Sequence, residues 1–128
     1  MQVRDGMSQI VLQVGPGHTL REAARQMSER KVGAAVVHDP DAPGPGIITE
    51  RDILNALAQG LDPDTADTAD HITWDVVYAG PNWTIEDAAS AMVKGSFRHL
   101  VVVDGDEVLG VISVRDVVRV WAQDRISA

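Results

Sequence analysis

Slid against itself by 65 positions, the 128-residue chain falls into register with its own second half. Asp5 meets Asp70, Val11 meets Val76, Gly15-Pro16 meets Gly80-Pro81, and Thr19 meets Thr84. Ala23-Ala24 meets Ala88-Ala89, Met27 meets Met92, and Val36-Val37 meets Val101-Val102. One residue is then lost, and at an offset of 64 Gly46 meets Gly110, Ile48 meets Ile112, and Arg51-Asp52 meets Arg115-Asp116. Seventeen of the 51 paired positions 3–39 and 46–59 are identical, and others exchange like for like (Leu20/Ile85, Thr49/Ser113), so the chain reads as a duplication. Two copies are too few for a solenoid, which needs about three or more units to bury its faces. The expected arrangement is a pair packed face to face about a pseudo-twofold axis.

Each copy carries the same signals. A short apolar stretch, Ile10–Val14 or Val76–Tyr78, reads as a strand ending at the Gly-Pro turn. A helix follows, with Leu20, Ala23, Ala24 and Met27 (or Ile85, Ala88, Ala89 and Met92) on one face and Thr19 or Thr84 as its N-cap. Gly33–Val37 and Phe97–Val103 are unbroken apolar runs of strand length, which suits strands covered on both faces. After a turn, Gly46–Thr49 and Val108–Val114 form the next strand. The closing helix is expected to bury Ile53, Leu54, Leu57 and Ala58, or Val117, Val118, Trp121 and Ala122. The fold class is therefore α/β (α+β), two β-α-β-β-α repeats at residues 3–60 and 68–124, joined by an acidic linker at 61–67. A unit of about 60 residues buries little apolar surface alone, which favours packing of the two.

Composition removes several function classes. The chain has no cysteine, which excludes disulfides, thiolate catalysis and cysteine-bound metals. Nineteen Asp and Glu against eleven Lys and Arg give a net charge of −8, unlike a nucleic-acid binder, and five aromatics are too few for a base-stacking platform. No apolar run approaches the roughly 18 residues of a membrane span, and no leader precedes the first repeat, so a cytoplasmic location with no membrane partner is expected. His18, His38, His71 and His99 show no metal-ligand spacing, so no metal is expected. The four carboxylates of Leu61–Asp70 lack the spacing of a calcium loop and read as a solvated acidic segment. No nucleophile elbow, P-loop or Gly-x-Gly-x-x-Gly is present, so catalytic residues and an enzyme function are not expected.

The sharpest local element is Gly-apolar-apolar-(Ser/Thr)-x-Arg-Asp, at Gly46–Asp52 and again at Gly110–Asp116. It sets a hydroxyl at a strand end and a carboxylate three residues into the next helix. One reading is a plain helix start, with Thr49 or Ser113 as N-cap, worth about 0.5–2 kcal/mol. The other is a site, since a carboxylate offers two acceptor oxygens and a helix start offers free N–H groups.

In order, spacing and duplication, the chain resembles the cystathionine-β-synthase (CBS) domain pair. The resemblance runs through Val3–Met7, Thr19–Ala24, Val32–Val37 and Gly46–Leu54, then Ala69–Ile72, Thr84–Ala89, Phe97–Asp104 and Gly110–Val118. It implies a three-stranded sheet and two helices per repeat and a disc-shaped homodimer built on exposed helices. Because the pair fills the chain, it also implies a stand-alone module. In relatives that bind adenosine ligands, the aspartate of this element holds the ribose hydroxyls, so Thr49 with Asp52 and Ser113 with Asp116 are candidate ligand residues in a cleft between repeats.

Other candidates follow from the same resemblance. Arg98 and His99 lie where relatives carry phosphate-binding cations, while the first copy has Gly33-Ala34 there. Unequal sites are therefore expected, the one near Arg98 preferring phosphorylated ligands. Thr19 and Thr84 lie in a loop that approaches the ligand in the family, although capping alone explains them. Ile48 and Ile112, with Val11, Val76 and Val77, offer apolar walls or are simply core. Arg51 and Arg115 face phosphate, a partner subunit or solvent. The expected function is a non-catalytic sensor of an adenine nucleotide (AMP, ADP or ATP), with no required cofactor, signalling to a regulated protein partner through a conformational or dimer rearrangement. The alternative is a dimerising or docking adaptor with vestigial clefts, favoured by the missing cation in copy one and by Pro45.

Overall fold

The computed structural model describes residues 1–9, 12–42, 44–73 and 76–127, with side chains as far as residue 123. It resolves into two compact units. A middle unit runs from Leu12 to Val76, and a terminal unit joins Met1–Val11 to Val77–Ala128.

The middle unit contains β1 (Gln13–Val14), α2 (Leu20–Arg30), β2 (Ala34–Val37), β3 (Gly46–Thr49) and α3 (Glu50–Ala58). The terminal unit contains α1 (Val3–Gly6), β4 (Tyr78–Ala79), α4 (Ile85–Gly95), β5 (His99–Asp104), β6 (Glu107–Ser113) and α5 (Val114–Ser127). Each unit has one three-stranded sheet, β1-β2-β3 or β4-β5-β6, with a parallel first pair and an antiparallel second pair. The β-α-β-β-α order expected from the repeat is the observed one. The first strands are two residues each, shorter than the Ile10–Val14 stretch and reaching one residue beyond Val76–Tyr78, with Val14 and Ala79 turned inward and Gln13 and Tyr78 exposed. Ile10 and Val11 of the first stretch lie outside the described residues.

The two cores are built from equivalent positions. Val14, Leu20, Ala23, Met27, Ala35, Val37, Ile48 and Ala56 pack together in the middle unit. Ala79, Ile85, Ala88, Met92, Leu100, Val102, Ile112 and Val120 do so in the terminal unit. Helices α2 and α4 end in the same way, on Lys31 at φ 56° and Ser96 at φ 57°, whose N–H groups return to Met27 and Met92 carbonyls. Such left-handed C-caps terminate a helix by satisfying its last carbonyls.

The closing helices bury a different face from the one expected. In α3 the buried residue is Ala56, with Ile53 half-buried, while Leu54 and Leu57 are 65% and 47% exposed. In α5 the buried residue is Val120, with Val117 half-buried, while Val118 and Trp121 are 57% and 56% exposed. Both helices carry two apolar stripes. The stripe running i, i+3 through Ile53–Ala56 and Val117–Val120 lies on the sheet, and the bulkier stripe faces outward.

A second finding concerns the segments that lead into each repeat. Residues 1–8, which open copy one in sequence, pack on the strands and helices of copy two. The Ile85 N–H donates to the Met1 carbonyl, Val3 N–H to Trp83, and Ser8 exchanges both backbone bonds with Val111 at 2.9 and 3.2 Å. Val3 is wholly buried there. Residues 66–73, which lead into and open copy two, pack equivalently on copy one. The Leu20 N–H donates to the Ala66 carbonyl, Thr68 N–H to His18, and Thr73 exchanges both backbone bonds with Ile47 at 2.8 and 3.0 Å. Thr68 is wholly buried, and its hydroxyl donates to the His18 carbonyl at 2.6 Å. The acidic linker is therefore exposed along most of its length yet tied to the middle unit, with Arg21 paired to Asp64.

Candidate functional site

The two aspartates of the duplicated element sit at equivalent places. Strand register sets Ala34 opposite Thr49 and His99 opposite Ser113, so each hydroxyl ends its sheet where the next helix begins. Thr49 N–H and Oγ1–H donate to Asp52 Oδ2 at 2.9 and 3.0 Å, and Asp52 N–H donates back to Thr49 Oγ1 at 3.2 Å. The Ser113–Asp116 set repeats this at 2.8, 3.0 and 3.1 Å. Each pair is a reciprocal cap, in which one carboxylate oxygen satisfies two donors at the helix start.

The capping role engages Oδ2, and the other oxygen is differently placed in the two units. In the middle unit Thr73 Oγ1 lies 3.2 Å from Asp52 Oδ1 and 3.3 Å from Oδ2. In the terminal unit Arg119 Nη2 lies 3.4 Å from Asp116 Oδ1 and donates to the Gly6 carbonyl at 3.0 Å. Both carboxylates are thus linked to the leading segment packed on their unit. An ionised carboxylate has about four acceptor positions, so Oδ1 could accept two O–H donors once the Thr73 or Arg119 contact is given up. Both aspartates are half-buried, and the Asp116 side chain is 22% exposed, which leaves that edge reachable from solvent.

The surroundings of the two aspartates differ in charge. The Arg98 carbonyl accepts from the Val114 N–H at 2.8 Å, which fixes an exposed arginine beside the first turn of α5. The equivalent bond in the middle unit runs from the Glu50 N–H to the Gly33 carbonyl at 2.9 Å. There the Glu50 carboxylate lies flat on Gly33, where an added Cβ would stand 3.3 Å from Cδ and Oε1. One helix start therefore has a cation and a valine, the other an acid and no side chain.

The remaining candidates are placed as follows. His99 is half-buried at the start of β5, next to Arg98. Thr19 and Thr84 cap α2 and α4, accepting from the Glu22 and Asp87 N–H groups at 3.2 and 3.0 Å, and each bridges to a leading segment. Ile48 and Ile112 are wholly buried in their cores, and Val77 packs beside the terminal one. Arg51 and Arg115 are exposed. Trp74 lies outside the described residues, whereas Trp83 packs on the terminal core. His18 Nδ1 accepts the Gly15 N–H at 2.7 Å, a structural role. Among the described residues no group of three or more His, Cys, Asp or Glu is placed to hold a metal, and no helix is long and apolar enough to cross a membrane.

Sequence reasoning did not single out Glu50, Thr73 or Arg119. Thr73 had a detectable signal, since it pairs with Ser8 in the repeat as hydroxyl for hydroxyl. Glu50 and Arg119 replace Val114 and Asn55 across the repeat, so similarity hides them and only the fold shows what they touch.

Comparison with known proteins agrees with this duplicated architecture. The model of the CBS domain matches twice, at residues 2–59 and 69–123. The CBS domain-containing protein YhcV of Bacillus subtilis is 34% identical over 115 residues, covering 89% of this chain and 81% of its own length. The solved CBS-domain containing protein ATU1752 of Agrobacterium tumefaciens is 35% identical, with a TM-score of 0.85 over 94% of this chain and 98% of that one. The CBS domain protein PAE2072 of Pyrobaculum aerophilum, solved in complex with AMP, is 30% identical, with a TM-score of 0.80 over 91% of this chain and 89% of that one. With both repeats matched, the chain belongs to the CBS-domain family and carries a pair of CBS repeats.

Proposed function

We propose that the chain is a non-catalytic regulatory module, cytoplasmic, that binds an adenosine-containing ligand of the AMP, ADP or ATP class at its twin carboxylates. The observation that carries this is the repeated Thr/Ser–Asp geometry, in which Oδ2 is used by the cap and Oδ1, met by one contact from Thr73 or Arg119, is the oxygen a vicinal diol would take. The AMP complex of PAE2072 supports the ligand class. Thr49 and Ser113, with Arg98 and His99 in the terminal unit, supply polar contacts to the rest of the ligand.

The ligand changes the protein only if it binds one arrangement better than another. The bonds from Thr73 to Asp52, and from Arg119 to Asp116 and Gly6, offer such a difference, because a diol on Oδ1 competes with them. A conformational or dimer rearrangement would then be read by a protein partner. Calorimetric titration with AMP, ATP, NAD and S-adenosylmethionine tests the reading. Asp52→Ala and Asp116→Ala are each expected to remove one site while circular dichroism shows the fold retained. Undiminished affinity in the double variant overturns the assignment.

A second reading, an adaptor that dimerises with empty sites, is favoured by the outward stripes of α3 and α5, where Leu54, Leu57, Val118 and Trp121 are all more than 45% exposed. Thermal melts that no nucleotide shifts at millimolar concentration would select it, since ligand binding raises apparent stability by mass action.

A further inference from the structure

The two carboxylates have the same geometry and opposite neighbours, and this difference points to two ligand classes. In the terminal unit, Arg98 stands beside the first turn of α5, Val114 is its first residue, and Arg119 stands one turn beyond Asp116. In the middle unit every one of these positions shifts toward negative charge or loses a positive one. Gly33 replaces Arg98, Glu50 replaces Val114, and Asn55 replaces Arg119. The Glu50 carboxylate is not a remote surface charge, because it lies against Gly33 at the start of β2, within the first turn that begins at Thr49. A phosphate approaching that turn would meet this carboxylate, and glycine stands at the position of Arg98.

We propose that Glu50 is a specificity residue that makes the Asp52 site a receptor for uncharged ribonucleosides, whereas the Asp116 site takes their phosphorylated forms. This rests on the ribose-binding reading given above and adds the ligand class for each site. Exposed charges at this distance from a phosphate act through partly solvated surroundings. Each unit charge is therefore worth on the order of three- to tenfold in affinity. The two differences at the helix start itself, Gly33 for Arg98 and Glu50 for Val114, give a selectivity of on the order of ten- to a hundredfold between the sites.

The test is a nitrogen-15 amide titration of the unaltered full chain with adenosine and, separately, with AMP. The amides of Thr49–Asp52 report one site and those of Ser113–Asp116 the other. The expected result is that adenosine moves the Thr49–Asp52 amides at concentrations at least tenfold below those needed with AMP. AMP is expected to move the Ser113–Asp116 amides first. Glu50→Gln should raise AMP affinity at the Asp52 site three- to tenfold and leave adenosine within twofold, a split that general loss of structure does not produce. The paired change Gly33→Arg with Glu50→Val should bring AMP affinity at that site up to that of its counterpart. AMP binding as tightly as adenosine beside Asp52, with no gain from Glu50→Gln, overturns the specificity role and leaves ribose binding standing. If neither compound moves either group of amides at millimolar concentration, ribose binding itself fails and the inference with it.

Discussion

Gly110 shows how tightly the leading segment is held, and its replacement by alanine has a calculable cost. A Cβ at this position would stand 2.3 Å from the Ser8 carbonyl oxygen and 3.2 Å from Met7 Sδ. Ordinary carbon–oxygen contacts begin near 3.3 Å, so the segment must retreat by about 1 Å. The Ser8 N–H to Val111 bond of 2.9 Å and its reciprocal of 3.2 Å then leave hydrogen-bonding range. Two backbone bonds at about 0.5–1.5 kcal/mol each, with part of the burial of Val3, give a destabilisation of about 2–4 kcal/mol. For a chain of this length that lowers Tm by roughly 6–16 °C. Gly17→Ala is the control, because nothing lies within 4 Å of its Cβ and its φ is not positive, so it should hold or slightly raise Tm. Thermal melts followed by circular dichroism give both values, and amide exchange at Ser8 shows whether the leading segment has come away. A Gly110→Ala variant that melts with the wild type, or one no worse than Gly17→Ala, refutes the reasoning.

Acidification should act on the pair that ties the linker to α2. The hydrogen bond from Arg21 holds the Asp64 carboxyl below the usual carboxylate range, against a small opposing effect of burial. A lowered folded-state pKa stabilises the protein above the unfolded value of about 3.9 and ceases to do so as pH falls through the folded value. Arg21→Ala should therefore melt below the wild type at neutral pH and alongside it in strong acid. An equal gap at both ends of the pH range refutes the pairing. Since both side chains are more than half exposed, the gap should also shrink with added salt. The outward apolar stripes should carry self-association, so sedimentation of the wild type should show a dimer that Leu54→Glu with Trp121→Glu reduces to a monomer of unchanged helix content. A monomeric wild type at high micromolar concentration refutes that use of the stripes.

How far the fold could be read in advance follows from what each pattern encodes. The core positions of α2 and α4 were legible because one apolar stripe at helical spacing admits one buried face, as Leu20, Ala23 and Met27 show. The closing helices were not, because Ile53–Ala56 and Leu54–Leu57 are stripes of similar strength on adjacent faces. The small Ala56 allows close approach to the sheet, and nothing in periodicity says which stripe does so. The leading segments were hidden for a different reason. A repeat shows which residues are alike, and it carries no information on whether a segment packs on its own copy or on the other. Residues 1–8 and 66–73 do the latter, and the identical pair Asp5/Asp70 and the hydroxyl pair Ser8/Thr73 are sequence traces of their shared position.

The candidate site was legible as a motif and undecided as a role, since Thr-x-x-Asp is both a helix start and a place for a diol. The atoms resolve part of that choice. Capping engages Oδ2 through two donors, and the contacts that tie each carboxylate to a leading segment reach Oδ1 from Thr73 or Arg119. A side chain that only capped its helix would need the first set of contacts alone. The second set joins the start of each closing helix to a segment contributed from elsewhere in the chain. Under the proposed reading, a ligand that takes Oδ1 leaves the Oδ2 cap intact while loosening that segment's attachment, and the same aspartate would both stabilise the fold and transmit occupancy.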